Sequence, residues 1–349
     1  MKKILLALLI LTFPFSGLSA QFFNLNGINY RLFRDPVNGN LSAKVITMGD
    51  TDYYKGDIEI PSSVNHDGVE YPVTAIDYMA FRCCRQLTSI VIPASVTDVP
   101  AAAFHGCYNL RTIVVSDDND KYDSRDSCNA VIETATNTLI ATCENTVVPK
   151  SVSALGDCAF FGCKSLTSLT IDGQYTEIGR WVFLDCENIE YLNWYSSLPL
   201  SSVTKLLSSS LKEVVLGDSV NYIGDEAFKG CKNLSSITIP ATVKTIAYGA
   251  FAGCDGLTSI TIPDGVEYIG DQAFKDCKNL LSVTIPSTIK SIGWEAFAGC
   301  EGLKTITIPY GIESIGNQAF SECDGIETLY WNSNYNLRNT IQPIKNTLR

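Results

Sequence analysis

Residues 257–279 read LTSITIPDGVEYIGDQAFKDCKN, and this stretch decides the fold. It is one copy of a unit that recurs every 23 residues: Phe228, Phe251, Phe274, Phe297 and Phe320 keep that spacing, as do Cys231, Cys254, Cys277, Cys300 and Cys323. The common pattern is L-x-x-I-x-I-P-x-x-V-x-x-I-G-x-x-A-F-x-x-C-x-x. A fixed period in the twenties predicts a repeat solenoid, because one such unit cannot bury its apolar face alone. Ile260 and Ile262 alternate with Ser259 and Thr261, which makes a short strand with one buried face. Pro263 cannot donate to a ladder and ends it. Val266 and Ile269 turn inward from the return path, Gly270 permits a bend, and Phe274 fills the coil. Stacked coils set their strands side by side in a parallel sheet, about 4.8 Å apart.

The register extends outward from this stretch. Phe81/Cys84, Phe104/Cys107, Phe160/Cys163 and Phe183/Cys186 continue it towards the N-terminus, with extra chain between Cys107 and Phe160. That insertion, residues 116–148, opens on an acidic, turn-rich run. It continues as a β-hairpin around Asn137 and is expected to stand out from the solenoid. The coil at 189–210 is degenerate: Leu206 and Ser209 hold its Phe and Cys positions, and Trp194 faces inward to fill the volume left by the missing ring. In the last coils Lys232, Asp255, Lys278 and Glu301 alternate in sign with a two-coil period.

The domain reading is then fourfold. Residues 1–20 are a secretory signal: Lys2 and Lys3 precede the apolar run, and cleavage is placed after Ala20, against the alternative of an uncleaved anchor. Residues 21–57 form an N-terminal β cap with a hairpin turning at Asn38-Gly39. Residues 58–331 are the solenoid, with irregular or short-helical return segments, and 332–349 are a C-terminal cap or tail.

The I-x-I-P-x-x-V-x-x-I-G-x-x-A-F-x-x-C unit resembles the Treponema-type leucine-rich repeat of the BspA-like bacterial surface proteins, over about three quarters of the chain. The block Cys128-Asn129-Ala130-Val131-Ile132 is also similar to one found within such proteins. The resemblance implies a curved right-handed solenoid, secreted or surface-exposed, in a family whose members are implicated in adhesion and in binding host or bacterial proteins. It transfers no catalytic residue.

Chemistry is sparse. The chain has two His, His66 and His105, and neither has a Ser or Cys partner in a recognisable motif. No zinc-type cysteine pairing or phosphate loop occurs, so no enzyme activity, cofactor or metal is expected. Asp117, Asp118, Asp120, Asp123 and Asp126 lack the EF-hand spacing and read as a solvated loop rather than a Ca²⁺ site. Nine of the thirteen Cys fall on the ladder as small buried groups whose parallel Cβ vectors do not suit bridges. Cys83, Cys128, Cys143 and Cys158 lie off it, and Cys128 and Cys143 flank the hairpin as a candidate disulfide. The formal charge of −11 argues against nucleic acid or an anionic membrane as partner.

A binding module therefore leads: a protein partner recognised through the sheet face, with a glycan-binding module or a ligand-free scaffold as alternatives. Most outward strand positions are uniform Ser/Thr, such as Ser259/Thr261 and Ser282/Thr284. Around the degenerate coil they give way to Tyr191, Asn193 and Tyr195, with Asp172 and Glu213 on the neighbouring strands. Those five residues are the candidate ligand contacts.

Overall fold

The computed structural model describes residues 21–36, 39–47, 54–200, 204 and 207–333. The signal segment, Asn38, Leu206 and most of the C-terminal cap or tail lie outside the described residues.

The cap is a mixed sheet that hands over to the solenoid. Ile28–Arg34 pairs antiparallel with Phe22–Leu25 and with Leu41–Val45, the hairpin expected on either side of Asn38-Gly39. Leu41–Val45 then runs parallel to Val69–Ile76, which belongs to the first coil. That coil is lengthened by a second hairpin, Ser63–His66 against Val69–Ile76, whose turn places Asp67 and Gly68 at φ 55° and 80°. Positive φ at both central residues matches the twist of the flanking strands.

From there the chain winds as a β-solenoid. Front strands run parallel in three groups: Lys55–Glu59, Gln86–Ile92 and Thr112–Val115; then Ser168–Ile171, Tyr191–Trp194, Glu213–Leu216 and Ser236–Thr238; then Ser259–Thr261, Ser282–Thr284, Thr305–Ile308 and Thr328–Trp331. Their cross-strand partners keep the sequence period, as in Ile260↔Val283 and Ile306↔Leu329. The return path is also β: Tyr222–Ile223, Thr245–Ile246, Tyr268–Ile269, Ser291–Ile292 and Ser314–Ile315 form a second parallel sheet. Short strands thus replace the short-helical returns expected as one option. A hydrophobic residue on each two-residue strand points in, and its partner points out.

Between return strand and front strand each of the last five regular coils makes a tight bend with two residues in the left-handed region. Glu226, Gln272, Glu295 and Gln318 hold the first such place at φ 52–58°, and Gly230, Gly253 and Gly299 hold the second at φ 71–74°. Glycine visits that region without steric penalty, which explains its recurrence just before the Cys. The bend lets Phe enter the interior. Phe228, Phe251, Phe274, Phe297 and Phe320 stack with centroids 5.1–5.5 Å apart and planes within 10° of parallel.

The Cys ladder does more than fill space. In the last four regular coils the thiol donates to the Phe carbonyl of the coil before: Cys254 Sγ to Phe228 O at 3.0 Å, Cys277 to Phe251 O at 3.1 Å, Cys300 to Phe274 O at 3.2 Å and Cys323 to Phe297 O at 3.0 Å. Each of those carbonyls also accepts a backbone N–H within its own turn, as Phe228 O does from Cys231 N at 3.1 Å, so the thiol adds a second hydrogen bond that ties one coil to the next. Burial pushes the thiols of Cys231, Cys277 and Cys323 up to about 12, so they stay protonated donors.

The insertion departs from expectation. Ala130–Glu133 and Thr138–Thr142 do form a hairpin, yet it does not stand out from the solenoid. Thr138–Thr142 pairs parallel with the return strand Ala154–Leu155, through Leu139↔Leu155, so the hairpin joins a second sheet of return strands, with Ala154–Leu155 and Glu177–Ile178, separate from the one at 222–315. Both of its faces are buried. Ala130, Ile132 and Leu139 pack into the core running to the C-terminus, while Val131, Ala141 and Cys143 pack into the core beneath the cap. A run such as Ala130-Val131-Ile132 is apolar on consecutive residues, and a strand of that kind needs cover on both sides. The hairpin divides one continuous stack into two core clusters. The coils on either side stay joined across it, with His105 stacked on Phe161 at 3.7 Å.

The same register rules out the expected Cys128–Cys143 bridge, and both thiols are free. Ala130 pairs with Thr142, so Cys143 is one residue out of step with Cys128 and faces the opposite side of the hairpin. Cys143 Sγ donates to Asn129 O at 3.2 Å instead.

Candidate functional site

The degenerate coil is built around one buried indole. Trp194 is fully buried on the strand Tyr191–Trp194, between Ile171 and Leu216 of the neighbouring strands. The inward orientation read from the sequence therefore holds. Leu207 is fully buried in the same coil, whereas Ser209, at the Cys position, is exposed. Thr204 takes over one ladder contact: its hydroxyl donates to Ala227 O. In the regular coils the equivalent carbonyls, such as Ala250 O, receive a Phe N–H from the coil before. Indole bulk is fitted at a cost, since Trp194 Nε1 is buried with no hydrogen-bond partner among the described residues.

With Leu192 and Trp194 inward, period two sends the alternate side chains out. Tyr191 and Tyr195 are 45% and 42% exposed, and Asn193 lies half-buried between them. Glu213 is exposed directly opposite Tyr191, and Ser168 is opposite it on the other side. Asn193 Nδ2 donates to Thr170 Oγ1 at 3.3 Å, which fixes the amide on the face. Asp172 is exposed at the strand end, where its carboxylate accepts the Gln174 N–H at 3.1 Å. The structure thus brings Tyr191, Asn193, Tyr195 and Glu213 together on one outward surface. Asp172 is placed at its margin and already engaged with its own turn.

Tyr195 is accommodated by a residue that the repeat pattern alone does not single out. Regular coils carry Pro after the front strand, as at Pro240, Pro263, Pro286 and Pro309. The coil beside Tyr195 has Gly217 there. A Cβ on Gly217 would lie 2.3 Å from Tyr195 Cδ1, so only glycine leaves room for the ring. Its N–H, which proline lacks, donates to Trp194 O at 2.8 Å. One break in the consensus thus seats the neighbour's tyrosine against the sheet. Its signal in the sequence is a run of three coils without the proline, with Asp172, Tyr195 and Gly217 in its place.

The front face also departs from Ser/Thr at its two ends. Tyr330 is 56% exposed on the last strand, and at the first strand Asp57 accepts from Ser89 Oγ at 2.6 Å and Thr88 Oγ1 at 2.8 Å. Those hydrogen bonds, Ser89 first, hold the Asp57 carboxyl below its ordinary range.

The histidines sit in packed settings. His66 stacks on Phe23 at 4.1 Å in the cap hairpin. His105 Nε2 lies 3.7 Å from Asp185, and burial pulls its pKa down despite that carboxylate. In the insertion, Arg125 donates to both oxygens of Asp123, from Nε to Oδ1 at 2.8 Å and from Nη2 to Oδ2 at 2.5 Å, while Asp117, Asp118 and Asp120 are exposed. Among the described residues, no three His, Cys, Asp or Glu are grouped to hold a metal ion. No helix among them is long and apolar enough to cross a membrane.

The model of the BspA type leucine-rich repeat region matches in six copies, over residues 58–136, 132–254 and 204–327. The chain belongs to this family. The BspA-type coils matched are the ones built on the Phe and Cys ladders, and the match runs through the insertion and the degenerate coil. No curated protein matches the chain. Among solved structures, a leucine-rich cell surface protein from Faecalibacterium prausnitzii is 21% identical over 95% of this chain and 98% of its own, with a TM-score of 0.46. A leucine-rich repeat protein from Bacteroides ovatus is 23% identical over 89% of this chain and 90% of its own, with a TM-score of 0.49. The leucine-rich repeat protein of T. pallidum is 22% identical over 81% and 91%, with a TM-score of 0.24.

Proposed function

We propose that this BspA-type protein is a secreted or surface-exposed, non-enzymatic binding module that recognises a protein partner through its front sheet. The observation that carries this reading is the seated Tyr195. A consensus proline is given up at Gly217, and the result is a large ring held on the outward face beside Tyr191, Asn193 and Glu213. Two tyrosines about half exposed supply rigid contact area with polar tips, a composition that suits protein interfaces. The regular coils supply uniform hydroxyls in the same places, which need no ligand to explain them. Export by the segment at residues 1–20 brings the face to an extracellular partner.

The test uses the mature chain immobilised against purified extracellular host proteins and bacterial surface proteins. It is followed by the variant Tyr191→Ser/Tyr195→Ser with its melting temperature. Loss of at least about tenfold in affinity with an unchanged melting temperature is the expected result. Unchanged binding together with a lowered melting temperature assigns the tyrosines to covering the irregular core and ends the proposal.

A further inference from the structure

Exposed aromatics also occur on the return side, in a pattern of their own. Tyr222, Tyr248, Tyr268 and Trp294 lie in four successive coils and are 43–49% exposed. They alternate between two places. Tyr222 and Tyr268 are the outward residues of return strands, whereas Tyr248 and Trp294 stand three residues further along, just past theirs. Where the first place is aromatic, the second is Asp, and that Asp accepts the backbone N–H of the aromatic in the next coil: Tyr248 N to Asp225 at 3.2 Å and Trp294 N to Asp271 at 2.7 Å. The two-coil alternation thus makes a zigzag of rings pinned at the backbone.

The step of this zigzag follows from the interior. Phe rings in the same coils are 5.3 and 5.1 Å apart, so each aromatic column repeats at roughly twice the coil rise, about 10 Å. Three lysines beside the rings are engaged in ion pairs, Lys229 with Glu226 at 2.5 Å, Lys275 with Glu295 at 2.5 Å and Lys290 with Glu267; Lys275 and Lys290 also stand 5.9 and 6.0 Å from the Trp294 and Tyr268 ring centroids, and Lys244 donates to Gly265 O at 3.4 Å. A groove lined by Gly265, Glu267, Thr288 and Lys290 runs alongside. A strip whose charges are largely paired and whose half-exposed rings recur at a regular spacing is complementary to an uncharged polymer. An anionic one would meet Asp225 and Asp271. In an extended β-1,4-linked polysaccharide each sugar advances about one coil and successive sugars are turned over, so the same face recurs every second sugar. That symmetry is the symmetry of the zigzag.

We propose that the Tyr222–Tyr248–Tyr268–Trp294 strip on the return side is a docking surface for an extended, neutral β-1,4-linked polysaccharide, separate from the front face. The test is native gel electrophoresis of the mature chain through hydroxyethylcellulose, glucomannan or polygalacturonate. Cellohexaose titration, followed by calorimetry so that the Trp294 variants are read in the same way, gives the affinity in solution. The two neutral polymers should retard the wild type. Tyr268→Ala and Trp294→Ala should each weaken cellohexaose binding by about tenfold, and Trp294→Tyr should retain it. Tyr191→Ser/Tyr195→Ser should migrate as the wild type, which separates failure here from failure of the front face. No retardation by either neutral polymer, greater retardation by polygalacturonate, or equal retardation of the alanine variants with unchanged melting temperatures would each overturn the proposal.

Discussion

Two neighbouring regions of one solenoid obey different rules. In the regular coils from Leu211 to Cys323, almost every inward residue repeats, and each repeat makes the same contact with the coil before. Phe stacks on Phe, a Cys thiol reaches a Phe carbonyl, and Asn233 and Asn279 bond to Ser209 O and Asp255 O at 2.8 and 2.9 Å. In the stretch from the insertion through the degenerate coil the core is kept by different means: a hairpin buried on both faces, an inward Trp194, and the Thr204 hydroxyl on Ala227 O. The contrast teaches that the solenoid demands filled volume and paired carbonyls, and that identical residues are only one way to supply them. It also shows where novelty is tolerated. Apart from Tyr330 on the last strand, the front face is uniform where the core is regular, and it is distinctive beside the coil where the core is improvised.

Alkaline pH should separate the two regions most strongly. The regular coils hold thiols raised by burial from an ordinary 9.0 to about 12 at Cys231, Cys277 and Cys323, while the degenerate coil has Ser209 there. Above 9 the unfolded thiols ionise and the folded ones do not. Their stabilisation is therefore complete below about pH 9 and is lost as pH rises towards 12, by at most about 1.4 kcal/mol per pH unit for each thiol. Denaturant melts from pH 8 to 11 should show a steeper fall than in a variant with the three Cys replaced by Ala.

A single deletion inside a ladder comes next. Phe274→Ala removes a ring stacked on both sides at 5.1 Å and should cost about 3–5 kcal/mol in urea unfolding. A loss below about 1 kcal/mol would show that the regular coils close around the gap and do not depend on the stacked ring.

The smallest effect tests the improvised region. Gly217→Ala should destabilise the wild type through the Tyr195 ring and be close to neutral in a Tyr195→Ser background. The expected coupling is about 0.5–3 kcal/mol. Additive effects would mean that Gly217 is needed for its own backbone rather than for its neighbour.

Much of this architecture is legible in the amino-acid sequence. The period alone places the front strands, the inward Phe and Cys and the outward Tyr191 and Tyr195, because period-two strands leave no choice of face once Trp194 points in. Three features are not legible there, for identifiable reasons. The double burial of residues 130–142 depends on which coil pairs with Leu139, a long-range fact. Distance to the hairpin tip suggests a Cys128–Cys143 pairing, but a one-residue offset reverses the face. The outward placing of the return-side aromatics depends on the return path being strand, whereas the repeat pattern predicts an irregular or short-helical one.

The most direct test of the central claim is a front-face scan with a photo-crosslinking phenylalanine analogue placed singly at Tyr191, Tyr195, Ser259 and Thr305. The binding partner found with the mature chain is then irradiated with each variant. Crosslinks should concentrate at positions 191 and 195 and fade at 259 and 305. Equal labelling along the face, or labelling confined to the regular coils, would contradict the assignment of recognition to the irregular coil.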